Sequence, residues 1–274
     1  MTVVWSWANL GNNVLQQYNI KQYWLLLSVL SVAKFNPDWK KVFVTDTDTY
    51  NFLVNREWDV LWDEIKVIDF SNTEYGNLYN INIYSWPKLY SYGLIDDDML
   101  IMDIDVVFVK PFQIKDLGKI SGRTYNHYHH LKWSNTVSGN LRHKWDAIDF
   151  VQKYLYDNYY CDNMMNQDSI CFHGAPVYVP KKYGKQVQQE LLEHVLRVES
   201  CYNNITPDET FYAIEEEYPL ACIAKKYTGY GFIDIQYYKH GFIFPAQRNI
   251  EKGFDAPEKL IGINVFDKYL KQYV

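Results

Sequence analysis

Short apolar runs alternate with helical segments over roughly the first 110 residues, and that alternation limits the folds open to this chain. TVVWSWA (residues 2–8), KKVFVTD (40–46), EIKVIDF (64–70) and MLIMDID (99–105) read as short strands rich in β-branched and apolar residues. Between them, residues 20–35, 50–57 and 84–95 read as helices. The last carries Pro87 in its first turn and a stop signal at Gly93. Strand–helix alternation implies parallel pairing with right-handed crossovers. The expected fold class is therefore α/β, Rossmann-like, with a mostly parallel central sheet flanked by helices. VVFVKPF (106–112) reads as a continuation of the fourth strand past a bend, and DDD (96–98) as a turn. The second half is less regular, with helices expected at 145–156, 185–198 and 210–225. No linker, repeat or low-complexity tract divides the 274 residues, so a single domain over 1–274 is expected.

The fourth strand contains the first chemical anomaly. Asp103 and Asp105 stand inside LIMDIDVVFVKPF (100–112), where every near neighbour is apolar. Asp is a poor strand former, and a charge taken from water needs compensation. Three readings are open. The pair can ligate a divalent cation, because i and i+2 on a strand share a face and hard cations take oxygen ligands. It can be a solvated pair at a strand end, or an acid and base for hydrolysis. Ligands of open α/β sheets bind at the carboxyl ends of strands, where this pair stands.

Charge is distributed unevenly. The chain carries a formal net charge of −6, which argues against general polyanion binding. Yet residues 119–145 hold Lys119, Arg123, Lys132, Arg142 and Lys144, together with His127, His129, His130 and His143, and no acid. A local site for an anionic group and a solvated loop both fit that composition. Aromatic residues make up 18% of the chain; they suit a core and also suit surfaces that stack sugars or bases.

Cys161, Cys171, Cys201 and Cys222 show neither CxxC pairing nor zinc-ligand spacing and read as reduced thiols. Residues 1–7 carry no basic residue ahead of an apolar stretch, unlike a secretory signal, and YWLLLSVLSVAKF (23–35) is too short to span a bilayer. A soluble, cytoplasmic protein without a membrane span is expected.

LIMDIDVVFVKPF resembles the DXD segment of nucleotide-sugar glycosyltransferases of the GT-A fold, some of them phage enzymes. MNQDSICF (165–172) is similar to the D-Q-D-x-x-N segment of retaining family 8 transferases, with Asn166 in place of the first Asp and no final Asn. The resemblance implies a nucleotide-sugar-binding half (1–112) and an acceptor-side half (113–274). It implies Mn²⁺ or Mg²⁺ on Asp103 and Asp105, with His240 in YYKHGF as a third ligand. It implies donor contacts from Trp7, Ala8, Asn9, Lys88 and Asp103, the donor being a UDP-sugar. Asn166, Gln167 and Asp168 would serve as catalytic residues beside the donor sugar. Arg123, His127, His129, His130 and Lys132 would line the acceptor site, for a glycan or a hydroxylated base in DNA. The implied activity is metal-dependent, retaining sugar transfer to a hydroxyl; the alternative is a non-catalytic relative that binds nucleotide or nucleic acid.

Two further acidic clusters read differently. Asp46 and Asp48 in VTDTDTY read as a loop or a helix N-cap. IEEEYP (214–219) reads as the solvated face of a helix; one of its acids, or Asp208 or Glu209, would be the base if the reaction inverted.

Overall fold

A computed structural model of the chain describes residues 1–8, 19–74, 76, 86–126, 170–201, 216, 218–233 and 242–243. The elements are β1 (Thr2–Trp7), α1 (Asn19–Phe35), β2 (Lys40–Thr45), α2 (Thr47–Val54), β3 (Glu64–Val67), α3 (Trp86–Ser91), β4 (Met99–Met102), β5 (Val107–Phe108), β6 (Ser121–Asn126), β7 (Ile170–Val179), α4 (Gly184–Cys201), α5 (Tyr218–Tyr227), β8 (Gly231–Phe232) and β9 (Phe242–Ile243). Seven strands form one sheet in the order β3-β2-β1-β4-β7-β6-β8. β1 to β4 are mutually parallel; β7 runs antiparallel to both β4 and β6, and β8 is parallel to β6. The expected α/β class, a mostly parallel sheet between helical layers, is observed.

Alternation along the strands explains the two layers. Val3, Trp5 and Trp7 of β1 point with Phe43, Leu100 and Met102 into one core, which α1 covers through Trp24, Leu25, Val29 and Val32. Val4, Val42, Val44 and Ile101 point into the other core, closed by Leu89 of α3, Leu191 and Val195 of α4, and Leu220 and Ile223 of α5. Both faces being covered, the inner strands are apolar throughout, as parallel sheets require. Among the described residues, no helix is long and apolar enough to cross a membrane; the apolar run in α1 is core.

VVFVKPF departs from expectation. It does not extend β4 within the main sheet. Val107–Phe108 pairs with Phe242–Ile243 in a separate two-stranded sheet. The reason lies in α1 and in Asn36 just beyond it, whose side chains take the segment's backbone hydrogen bonds. Ser28 Oγ donates to the Val106 carbonyl (2.6 Å) and accepts from Trp5 Nε1 (2.8 Å). Ser31 Oγ accepts from the Phe108 amide (3.0 Å). Asn36 donates to the Phe112 carbonyl (2.8 Å) and accepts from its amide (3.2 Å).

Ser28 is fully buried, so its loss has a calculable effect. In Ser28→Ala, the Trp5 indole N–H loses its acceptor and the Val106 carbonyl loses a donor. A buried group stripped of its partner costs roughly 1–3 kcal/mol. The variant is expected to lose about 2–4 kcal/mol in denaturant unfolding. A loss under about 0.5 kcal/mol, the scale of an ordinary surface change, would refute this anchoring role.

The remaining differences are of boundary. The second helix starts at Thr47, three residues earlier than the apolar pattern suggests. The cause is Asp46, whose side chain accepts from the Thr49 amide at 2.9 Å as an N-cap. β3 stops at Val67, and a 3-10 turn occupies Phe70–Asn72. Helix 185–198 appears as Gly184–Cys201. Of helix 210–225, the part described is Tyr218–Tyr227. The helix expected at 145–156 lies outside the described residues.

Candidate functional site at the carboxyl edge of the sheet

Parallel registers bring several predicted residues to one edge. Trp5 is level with Met102, so Trp7 and Ala8, past Trp5, and Asp103, past Met102, extend toward the same side. β6 runs in the same direction as β4, and β7 in the opposite one. Hence the carboxyl end of β6 and the amino end of β7, joined by the Asn126–Ile170 pair, face this edge too.

Asp103 and Asp105 do not lie on the strand itself. β4 ends at Met102, and the Asp103 carbonyl accepts from the Val106 amide at 3.2 Å, closing a turn. The same-face argument from strand spacing is therefore corrected: a turn, not a pleat, presents the two carboxylates. The turn arises because Asp disfavours strands and because Val106 is already tied to Ser28 of α1.

The group facing Asp103 is Lys88. Its Nζ stands 2.7 Å from Asp103 Oδ1 and 2.9 Å from Glu216 Oε1. Lys88 is buried on α3, Glu216 is buried just ahead of α5, and the Asp103 side chain remains 37% exposed. Burial on its own would lower the Lys88 pKa. The Asp103 and Glu216 carboxylates more than offset it, and the net shift is upward. The ammonium therefore stays charged, and its contribution to stability is fully present below about pH 10 and lost only as pH rises beyond that.

Gly174 of β7 completes the enclosure. A Cβ there would stand 3.1 Å from Lys88 Nζ and 3.2 Å from Glu216 Oε2, so the missing side chain makes room for the ion pair. Tyr92, one turn beyond Lys88, is fully buried. Burial, then the Glu216 and Asp103 charges, push its ionisation well above the ordinary value, so it stays a neutral phenol.

Glu216 also departs from the sequence expectation. Within IEEEYP it was expected on a solvated helix face, yet it is 6% exposed and paired with a lysine. The only local hint was its place two residues before the apolar YPLACIA of α5.

The other predicted residues sort simply. Trp7 and Ala8 are buried, and the Trp7 carbonyl accepts from Thr45 Oγ1 at 2.6 Å. Asp105 is partly buried. Arg123 is partly buried at the β-bulge between Gly122 and Thr124 of β6. Asn9, His127, His129, His130, Lys132, Asn166, Gln167, Asp168 and His240 lie outside the described residues. Among the described residues, no three His, Cys, Asp or Glu side chains gather as a metal cluster. Asp103 and Asp105 offer hard oxygen donors at a partly open turn, a donor type that fits Mg²⁺ or Mn²⁺.

No family model matches the chain, and no curated protein is significantly similar to it. Three solved structures show the likenesses found. The galactosyltransferase LgtC, in complex with donor and acceptor sugar analogues, is 14% identical at a TM-score of 0.46, over 85% of this chain and 73% of that one. Mouse xyloside xylosyltransferase 1, in its apo form, is 10% identical at 0.45, over 85% and 84%. The glycosyltransferase GlyE of Streptococcus pneumoniae TIGR4 is 9% identical at 0.40, over 85% and 45%.

Proposed function

We propose that the protein is a GT-A glycosyltransferase that moves a sugar from a nucleotide-diphosphate sugar, a UDP-sugar first among them, to an acceptor hydroxyl. The observation that carries this reading is the turn holding Asp103 and Asp105 at the carboxyl edge of a mostly parallel sheet, with the buried Lys88 ammonium 2.7 Å from Asp103. A diphosphate leaving group needs concentrated positive charge next to it, and this edge combines a fixed ammonium with two oxygen ligands for a cation.

Asp103 and Asp105, with His240, would hold Mn²⁺ or Mg²⁺. Such a cation supplies neutralisation of the charge that builds on the diphosphate as the glycosidic bond breaks. Lys88 adds a fixed charge on the same side. In the transfer, the bond from the anomeric carbon to the diphosphate oxygen breaks. A bond from the acceptor oxygen to that carbon forms, and the acceptor proton leaves with the diphosphate. Asn166, Gln167 and Asp168 would face the donor sugar and favour retention. Their segment leads into Ile170, at the amino end of β7, which opens on this same edge.

The acceptor side is assigned to Arg123, His127, His129, His130 and Lys132, which begin on β6 and follow its carboxyl end at Asn126. A glycan is one acceptor class; a hydroxylated base in DNA is the other, favoured by the acid-free composition of residues 119–145.

Two measurements test these assignments. Asp168→Asn is expected to lower donor turnover by at least about tenfold, equal to about 1.4 kcal/mol of transition-state stabilisation. Unchanged kinetics with intact metal binding would assign the NQD segment to structure. For a DNA acceptor, the logarithm of affinity should fall linearly with the logarithm of salt concentration. A salt-independent acceptor KM would eliminate that class.

A further inference from the structure

Among the described residues Lys88 has two carboxylate partners, and only one of them belongs to the proposed metal turn. Asp103, at 2.7 Å, is 37% exposed, whereas Glu216, at 2.9 Å, is 8% exposed and held against Gly174. A divalent cation arriving at the turn must compete with the Lys88 ammonium for Asp103. Charge alone makes that competition severe, because the ammonium also repels the incoming cation. The Lys88 side chain is buried and has little freedom to swing into solvent. It can still shift its weight toward Glu216, whose carboxylate is more deeply buried than that of Asp103.

We propose that Glu216 is the positioning residue that sets the cation affinity of this edge: it retains Lys88 as Asp103 exchanges the ammonium for a divalent cation. The inference rests on the metal reading of Asp103 and Asp105 given above. The ion pair between Lys88 and Asp103 is then one half of an exchange. Lys88 moves from a shared position to Glu216, Asp103 Oδ1 is released to the cation, and no proton is transferred. Glu216 is thereby distinguished from a metal ligand, since it acts only through Lys88, and from a general base, since the ammonium occupies it. Tyr92, neutral and buried in the field of both carboxylates, adds no charge to the exchange.

Equilibrium Mn²⁺ binding to the intact protein, without donor or acceptor, tests the inference. Calorimetric titration, with thermal melting as a control for folding, gives the readout. Wild type should bind Mn²⁺, and Asp105→Asn should abolish binding. Glu216→Gln should weaken it by about tenfold, because Lys88 then rests on Asp103 alone. Glu216→Asp keeps the charge but shortens the reach, and should weaken binding nearly as much. Adding Lys88→Met to Glu216→Gln should restore affinity to the wild-type value or above, a rescue that a merely structural role would not produce.

Wild-type affinity in Glu216→Asp would show an effect of net charge and overturn positioning by Glu216. Wild-type affinity in Glu216→Gln, with binding still lost in Asp105→Asn, would overturn the inference and leave the metal reading standing. Failure of the wild-type protein to bind Mn²⁺ would overturn both. Should Glu216→Asp fold poorly, the Glu216→Gln and double-variant comparison decides by the same criterion, since an absent rescue overturns action through Lys88.

Discussion

Lys88→Met is expected to destabilise the protein by about 3–5 kcal/mol, the cost of breaking a buried ion pair by removing one of its members. Methionine fills the volume of the lysine stem but leaves Glu216 without its ammonium, at 8% exposure and walled in by β7. Asp103 suffers less, because it is open to water. At about 2–4 °C per kcal/mol for a domain of this size, the melting temperature should fall by roughly 6–20 °C. Lys88→Met combined with Glu216→Gln should recover most of that loss, since two neutral side chains replace an ion pair that already carried a large desolvation cost. A single variant melting within about 2 °C of wild type, less than 1 kcal/mol on that scale, would mean that the pair contributes little.

The second large effect is on turnover. Asp105→Ala should reduce sugar transfer by about a hundred- to a thousandfold, on the scale of losing a principal electrostatic element from a catalytic site. Its melting temperature without metal should stay close to wild type, because Asp105 stands in a turn and is only partly buried. That contrast separates it from Lys88→Met, where stability falls first. A purified wild-type protein that turns over undiminished in excess chelator would refute the metal assignment.

Much of the fold was legible because it depends on local pattern. β1, β2 and β4 are short apolar runs between polar turns, and their parallel order follows from the helices that separate them. What escaped depends on partners far along the chain. Val107–Phe108 has the composition of a strand, but its backbone is claimed by Ser31 of α1 and by Phe242–Ile243. No property of residues 106–112 reveals those partners. The site shows the same division. An apolar strand leading into two carboxylates is visible in a dozen letters, whereas the lysine–glutamate pair joins α3 to a residue two positions ahead of α5. Three consecutive glutamates look solvated by composition, and only the fold shows that the middle one turns inward. Gly174 reads as an ordinary strand glycine until the ion pair packed against it is known.

The central claim, that this sheet edge splits a nucleotide-sugar with the help of a cation at Asp103 and Asp105, is tested most directly by product release. The intact protein is incubated with a panel of nucleotide-diphosphate sugars and Mn²⁺, and free nucleoside diphosphate is measured over time. The account predicts release from at least one donor by slow transfer to water, accelerated by an acceptor, lost on chelation and lost in Asp105→Ala. No release from any donor in the panel, or release that persists equally in chelator and in Asp105→Ala, would contradict it.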